Sequence, residues 1–448
     1  MRPPDREILR LAGPAFLALV AEPLFLLTDA AVVGHLGTAE LAGLGVAATV
    51  LQTAVGLCVF LAYGTTAGVA RRLGADDLRG ALALGLDGVW LAVGIGVLVT
   101  LVGVPLTGPL VAAFGVGGEV AGYAETYLRI ALLGVPPLLV MLAATGVLRG
   151  LQDTRTPLVV AVAGNLLNAV LNVVLVHGVG SFDGIGIAGS AWGSVVAQVL
   201  SAAALTAVVV RGARRHGAPL RPDAGGVRSA ARAGVPLVVR TLTLRAALLV
   251  TTYAVALGAA GRGDQADEIA THQLAMTLWG FLAFVLDAIA IAAQAITGRA
   301  LGAGDVEGTR ALTRRMVTWG WASGIVTGAL LAASAPLLGP LFTDDPDLPG
   351  LLLPVLLVAA LGQPVAGVVF VLDGVLIGAG DGRYLAAAGL LVALVYAPVT
   401  LLAVAVGGAG LVAVWALFAG VFMTGRLVTL LRRARGDAWL RTGPTLAA

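Results

Sequence analysis

The feature that most constrains this chain is a succession of apolar stretches, each long enough to cross a bilayer. They lie at roughly 9–33, 44–70, 81–104, 124–148, 157–179, 187–210, 233–258, 269–298, 312–335, 350–377, 384–405 and 409–431. A spanning helix needs about 20 mainly apolar residues. The last two stretches come from one uncharged run between Arg383 and Arg426, which Gly407, Gly408 and Gly410 divide. Twelve such spans consume nearly all of the 448 residues and leave no room for a sizeable soluble catalytic domain. With 58% hydrophobic and 12% charged residues and a mean hydropathy of +0.96, an ordinary water-soluble domain is excluded. Continuous apolar runs also exclude an outer-membrane barrel, whose strands alternate. The 62 glycines and 20 prolines suit a membrane bundle, where small residues allow close backbone approach. The expected fold is an all-α membrane protein with twelve transmembrane helices.

Charge placement gives the orientation. Arg71, Arg72, Arg79, Arg155, Arg211, Arg214, Arg215, Arg221, Arg228, Arg310, Arg314, Arg315 and Arg383 fall at even-numbered connections, and both termini are basic. The odd-numbered connections carry Glu40, Glu119, Asp183, Asp264, Asp267, Glu268, Asp344, Asp345 and Asp347 against one arginine, Arg262. Positive residues stay on the cytoplasmic side of short loops, so both termini are expected to be cytoplasmic. The formal charge of +3 therefore reflects membrane topology rather than nucleic-acid binding. The basic start resembles a signal peptide, but Glu22 and Asp29 interrupt the apolar stretch, so it reads as a retained first helix. The single cysteine, Cys58, reads as a small core residue.

Shifted against itself by 228 residues, the chain repeats. Gly146-Val147-Leu148-Arg149-Gly150, with Asp153 and Arg155, returns as Gly374-Val375-Leu376-Ile377-Gly378, with Asp381 and Arg383. Gly134 and Pro136 return as Gly362 and Pro364, and Glu40-Leu41-Ala42 as Glu268-Ile269-Ala270. Two six-helix bundles are expected, related by a pseudo-twofold axis along the membrane normal and enclosing a central cavity. The N-terminal lobe covers 1–210, a basic cytoplasmic linker 211–232, the C-terminal lobe 233–432 and a cytoplasmic tail 433–448. The linker reads as a topology-setting loop or a contact for anionic lipid.

Ionisable residues inside a membrane are costly, so each is a functional candidate. On the first helix Glu22 and Asp29 share a face, with Pro23 between them. A carboxylate facing a cavity can bind a proton or cation; the plainer alternatives are an interior acid paired with a donor, or, for Glu22, a solvated helix mouth. Asn165, Asn168 and Asn172 also share one face, suited to ion ligation or to interhelical hydrogen bonding. Ser194 adds a hydroxyl. In the second half Arg240, Arg245, Asp287 and Asp373, with Gln273, Gln294 and Gln363, form a candidate polar network that reads equally well as structural ion pairing.

The residues then become familiar. Thr28-Asp29-Ala30-Ala31-Val32-Val33-Gly34-His35-Leu36-Gly37 resembles the first-helix signature of the multidrug and toxic compound extrusion (MATE) transporters. Gly150-Leu151-Gln152-Asp153-Thr154-Arg155-Thr156-Pro157 resembles the motif after their fourth helix. Leu286–Gln294 and Leu372–Asp381 look like second-half motifs of the DNA-damage-inducible-F branch. The resemblance implies an antiporter exporting organic cations or amphipathic toxic compounds against inward H⁺ or Na⁺, with the ion site in the N-terminal lobe. It puts Asp29 at the family's first-helix aspartate and Asn168 and Asn172 at two ion-site positions of its fifth helix. Where relatives often have aspartate, this chain has Asn172, which favours H⁺; Na⁺ at Asp29, Asn168 and Asn172 is the alternative. No cofactor, resident metal or nucleic-acid partner is expected. The expected form is a monomer in contact with membrane lipids, in the plasma membrane of a bacterium. A lipid-linked precursor flippase is the second reading. An intramembrane enzyme is remote, because HExxH, P-loop and Cys/His patterns are all missing.

Overall fold

The computed structural model describes residues 3–260, 265–342 and 348–445, apart from the side chains at 3, 4, 22 and 340–342. Arg262, Asp264, Asp344, Asp345 and Asp347, and the side chain of Glu22, therefore lie outside the described residues.

Among the described residues twelve helices are long and apolar enough to cross a membrane. They are α1 (Asp5–Gly34), α2 (Thr38–Gly74), α3 (Leu78–Gly103), α4 (Gly118–Gly150), α5 (Arg155–His177) and α6 (Ile187–Arg215), then α7 (Ala224–Ala259), α8 (Gln265–Gly302), α9 (Val306–Gly339), α10 (Leu348–Gly378), α11 (Gly382–Ala405) and α12 (Leu411–Arg435). Leu361 and Val406 are 81% and 83% exposed, which suits surfaces bathed in lipid rather than water. The segment between α6 and α7 runs only from His216 to Asp223, because each flanking helix continues into the basic region.

The chain divides into two compact units. Among the described residues one holds 13–234 and 443–445, and the other 3–12 and 235–442. The first turns of α1 belong to the second unit through their charges. Asp5 accepts two hydrogen bonds from Arg315 (2.6 and 2.8 Å) and one from Trp319 Nε1 (2.9 Å), and Glu7 pairs with Arg299 at 2.8 Å. In the other unit Arg71, fully buried, donates to the carbonyls of Gly443 and Thr445, both at 3.2 Å.

The repeat has a packing counterpart within each unit. α2 and α3 both pack along α4, and α8 and α9 both pack along α10. The repeated glycines make this possible. A Cβ on Gly150 would sit 2.8 Å from the Thr66 carbonyl oxygen, and one on Gly374 2.8 Å from the Ala290 carbonyl carbon, so only glycine lets these backbones touch. Gly146 faces Ala62 as Gly374 faces Ala290, and Gly150 faces Thr66 as Gly378 faces Gln294, each at the 228-residue shift. Asp77 and Asp305, also at that shift, both cap helix starts by accepting from Gly80 N and Gly308 N at 2.8 Å.

Local breaks shape the helices. α4 tightens into a single 3₁₀ turn at Leu132–Gly134 just before Pro136 and Pro137, which have no N–H to continue the α ladder. α12 carries a π-helical segment at Phe418–Met423.

Candidate functional site

On α6 the sequence Gly189-Ser190-Ala191-Trp192-Gly193-Ser194 puts two glycines, and two serines, one turn apart. A side chain at Gly189 would strike the Leu175 backbone, and one at Gly193 would strike Asn172 Oδ1, so α6 lies directly against α5. That contact carries Ser190 and Ser194 to the asparagine face of α5. Asn168 Nδ2 donates to Ser194 Oγ at 3.1 Å, and Asn172 Nδ2 to Asn168 Oδ1 at 3.2 Å.

Asp29 of α1 sits at the centre of this group, 2% exposed. Its Oδ1 accepts from Asn172 Nδ2 at 2.8 Å and from the hydroxyl of Ser190, and its Oδ2 from the Tyr127 hydroxyl of α4 at 2.9 Å. Asn168, Asn172, Ser190, Ser194 and Tyr127 are all buried. Every partner of Asp29 is a neutral donor; no arginine or histidine reaches it among the described residues. Among the described residues, a carboxylate so placed has no cationic partner. Asn165 is half-buried and stands apart from this cluster, donating to the Ala21 carbonyl of α1 at 2.6 Å, two residues before Pro23.

Tyr127 and Ser190 were not singled out from sequence. Tyr127 lies in a mostly apolar helix and reads there as core. The duplicated Gly-Ser pair was a usable signal for Ser190.

The second unit treats its buried acid differently. Asp373 of α10, 4% exposed, is bound by Arg240 of α7 at 2.6 Å and by Arg426 of α12. Arg426, read from sequence only as the end of an apolar run, is buried as well. Arg245 and Asp287 are also engaged. Gln363 and Gln294 are buried elsewhere on their helices: Gln363 where Gly324 and Gly328 close on α10, Gln294 where its backbone meets Gly378. Arg129 pairs with Glu125 at 3.8 Å on the surface.

Comparison with known proteins bears on the whole chain. The MatE family model matches residues 14–174 and 242–402, two stretches displaced by 228 residues (14 to 242, 174 to 402), as in the internal repeat. The chain belongs to the MatE family. It is a multi-pass membrane transporter of the multidrug and toxic-compound efflux type, and not an enzyme. Protein DETOXIFICATION 44, chloroplastic, of Arabidopsis thaliana is 31% identical over 98% of this chain and 83% of its own length. DNA damage-inducible protein F of Escherichia coli K12 is 31% identical over 67% of this chain and 64% of its own. The crystal structure of MATE in the bent conformation covers 98% of this chain and 96% of its own at a TM-score of 0.87 and 23% identity, a likeness of fold.

Proposed function

We propose that this transporter exports small organic cations or amphipathic compounds in exchange for inward protons, and that Asp29 carries the proton. The observation that carries the reading is the donor set of Asp29: Tyr127, Asn172 and Ser190, all neutral. Deprotonated, the carboxylate is held by three hydrogen bonds but keeps its full buried charge. Protonated, it loses the charge and no longer accepts all three as strongly, so α1 is freed from α4, α5 and α6. Pro23 and the Asn165 contact at Ala21 lie on the same helix and give it a place to bend. Asn168 and Ser194 orient Asn172, since each fixes one end of the amide network.

Sodium fits less well. Asp29 is the one carboxylate in this cluster among the described residues, with Asn172 and Asn168 as its neutral neighbours. The arginine-rich even-numbered connections support cytoplasmic termini and proton entry from the side of the odd-numbered connections. The lobes act as 1–210 and 233–432, joined by the 211–232 linker. The protein works as a monomer in a bacterial plasma membrane. Asp29→Asn keeps an acceptor of the same shape but cannot exchange a proton. The expected outcome is normal membrane insertion with export reduced to the background of empty membranes; full gradient-driven export in that variant would overturn the reading.

A further inference from the structure

The second unit holds another buried, titratable group that transport through Asp29 does not use. His272 of α8 is 1% exposed. Its Nδ1 lies 3.2 Å from Trp415 Nε1 of α12, and its Nε2 lies 3.0 Å from Thr252 Oγ1 of α7. An indole N–H only donates, so Nδ1 must be a bare acceptor. The Thr252 hydroxyl gives its hydrogen to the Leu248 carbonyl at 3.2 Å, so its oxygen accepts from Nε2–H. These bonds fix His272 as the neutral Nε2–H tautomer. A proton arriving at Nδ1 would meet the Trp415 hydrogen already there.

A cavity opens one helical turn from His272. A cavity of about 330 Å³ is lined by Glu268 of α8, Leu351 and Pro354 of α10, and Gly410–Ala413 at the start of α12. Among the described residues Glu268 is the one acid in this apolar lining, and it is itself buried, 5% exposed. It stands one helical turn from His272, on the same face of α8. Trp415 follows the cavity wall directly and packs edge-on against Phe418, the first residue of the π-helical segment, with ring centroids 6.0 Å apart. Phe418 also touches Trp279, Tyr396 and Phe422. π segments of this kind frequently mark functional sites.

Among the described residues, other titratable groups lie near His272; Arg245 of α7, itself engaged, is two turns from Thr252. On α8 Asp267 is half-buried beside Glu268, and Asp287 is some four turns away. From α11 Tyr396 faces Thr251 of α7 at 2.7 Å. Arg240 of α7, Asp373 of α10 and Arg426 of α12 form their own cluster, about three turns from Thr252 and from Trp415 along α7 and α12.

We propose that Glu268 and His272 form a second proton-binding site, in the C-terminal unit and separate from Asp29. Water in the cavity delivers a proton to the Glu268 carboxylate, which passes it to the lone pair of His272 Nδ1. The imidazole becomes imidazolium, the Trp415 Nε1–H···Nδ1 hydrogen bond breaks, and the start of α12 up to its π-helical segment is released. Deprotonation back to water restores the bond. The cavity's placement on the outer side rests on the orientation proposed above; the chemistry of the pair does not.

Two measurements test this. The first uses ¹⁵N imidazole spectra of the intact protein in lipid at neutral pH. His35 and His216 donate Nδ1–H to the carbonyls of Ala31 (2.6 Å) and Gly212 (2.9 Å), so they carry the opposite tautomer. His272 is expected as an Nε2–H tautomer with a hydrogen-bonded bare Nδ1 that converts to imidazolium on acidification. The second follows tryptophan emission in proteoliposomes, taking the difference between wild type and Trp415→Phe. Acid outside is expected to quench this component in wild type and in Asp29→Asn, and not in His272→Gln, whose amide keeps both neighbours bonded. In Glu268→Gln the transition moves to lower pH by about one unit, since a nearby carboxylate favours the imidazolium. A His272 with Nδ1–H at neutral pH, quenching that survives in His272→Gln, or quenching that vanishes in Asp29→Asn would each overturn the proposal. Loss of transport through Asp29 alone would leave it standing.

Discussion

Asp29 and Asp373 are both buried carboxylates, one in each unit, and their surroundings differ in kind. Asp29 is held by a phenol, an amide and a hydroxyl. Asp373 is held by two guanidinium groups. Hydrogen bonds from neutral groups steady a carboxylate without cancelling its charge. Two arginines cancel the charge. The first arrangement suits exchange with the gradient; the second suits a fixed tie among α7, α10 and α12. Internal duplication thus produced two similar bundles, and the polar residues, rather than the packing glycines, are where they diverged.

The contrast breaks first at Asp373. Asp373→Asn strands Arg240 and Arg426 inside the unit, and removing one partner of a buried pair costs about 3–5 kcal/mol. A large drop in the melting temperature of the purified protein is expected, or failure to accumulate. Unchanged stability would mean that the arginines are solvated and the tie is not structural. A sharper form removes all three charges: Asp373→Leu with Arg240→Leu and Arg426→Met should recover much of the lost stability, because well-packed apolar replacements of buried ion pairs are often neutral or better. Proton-driven export should survive in it; its loss would assign Asp373 a part in coupling.

Smaller effects probe the Asp29 side. Tyr127→Phe removes one donor to the carboxylate, worth about 1 kcal/mol, which is roughly one pH unit at 1.36 kcal/mol per unit. The charged form loses support and the proton is held to higher pH. The pH of half-maximal export should therefore move up, with maximal export retained. A downward shift would contradict the donor role. Asn165→Ala should have the least effect, about 1 kcal/mol of stability or less, because its hydrogen bond among the described residues is to the Ala21 carbonyl.

Much of this contrast could be read in the sequence, for physical reasons. Spans are legible because bilayer thickness dictates the length of each apolar run. The repeat is legible because close helix contacts leave no choice but glycine at Gly146, Gly150, Gly374 and Gly378. Helical spacing also put Asn168 and Asn172 on one face, and the structure brings Asn172 to Asp29 and Asn168 to Ser194. Spacing along one helix says nothing of which helix stands opposite. That is why Tyr127 on α4 and Arg426 on α12 went unnoticed: a tyrosine in an apolar helix reads as core, and an arginine ending an apolar run reads as a surface charge.

The most direct test uses purified protein in liposomes, with a pH gradient and a sodium gradient imposed separately and efflux of a fluorescent organic cation followed in wild type and Asp29→Asn. The account predicts efflux driven by the pH gradient alone in wild type and none in the variant. Efflux driven by sodium alone would contradict proton carriage at Asp29, and efflux under neither gradient would contradict ion-coupled export and bring the flippase reading forward.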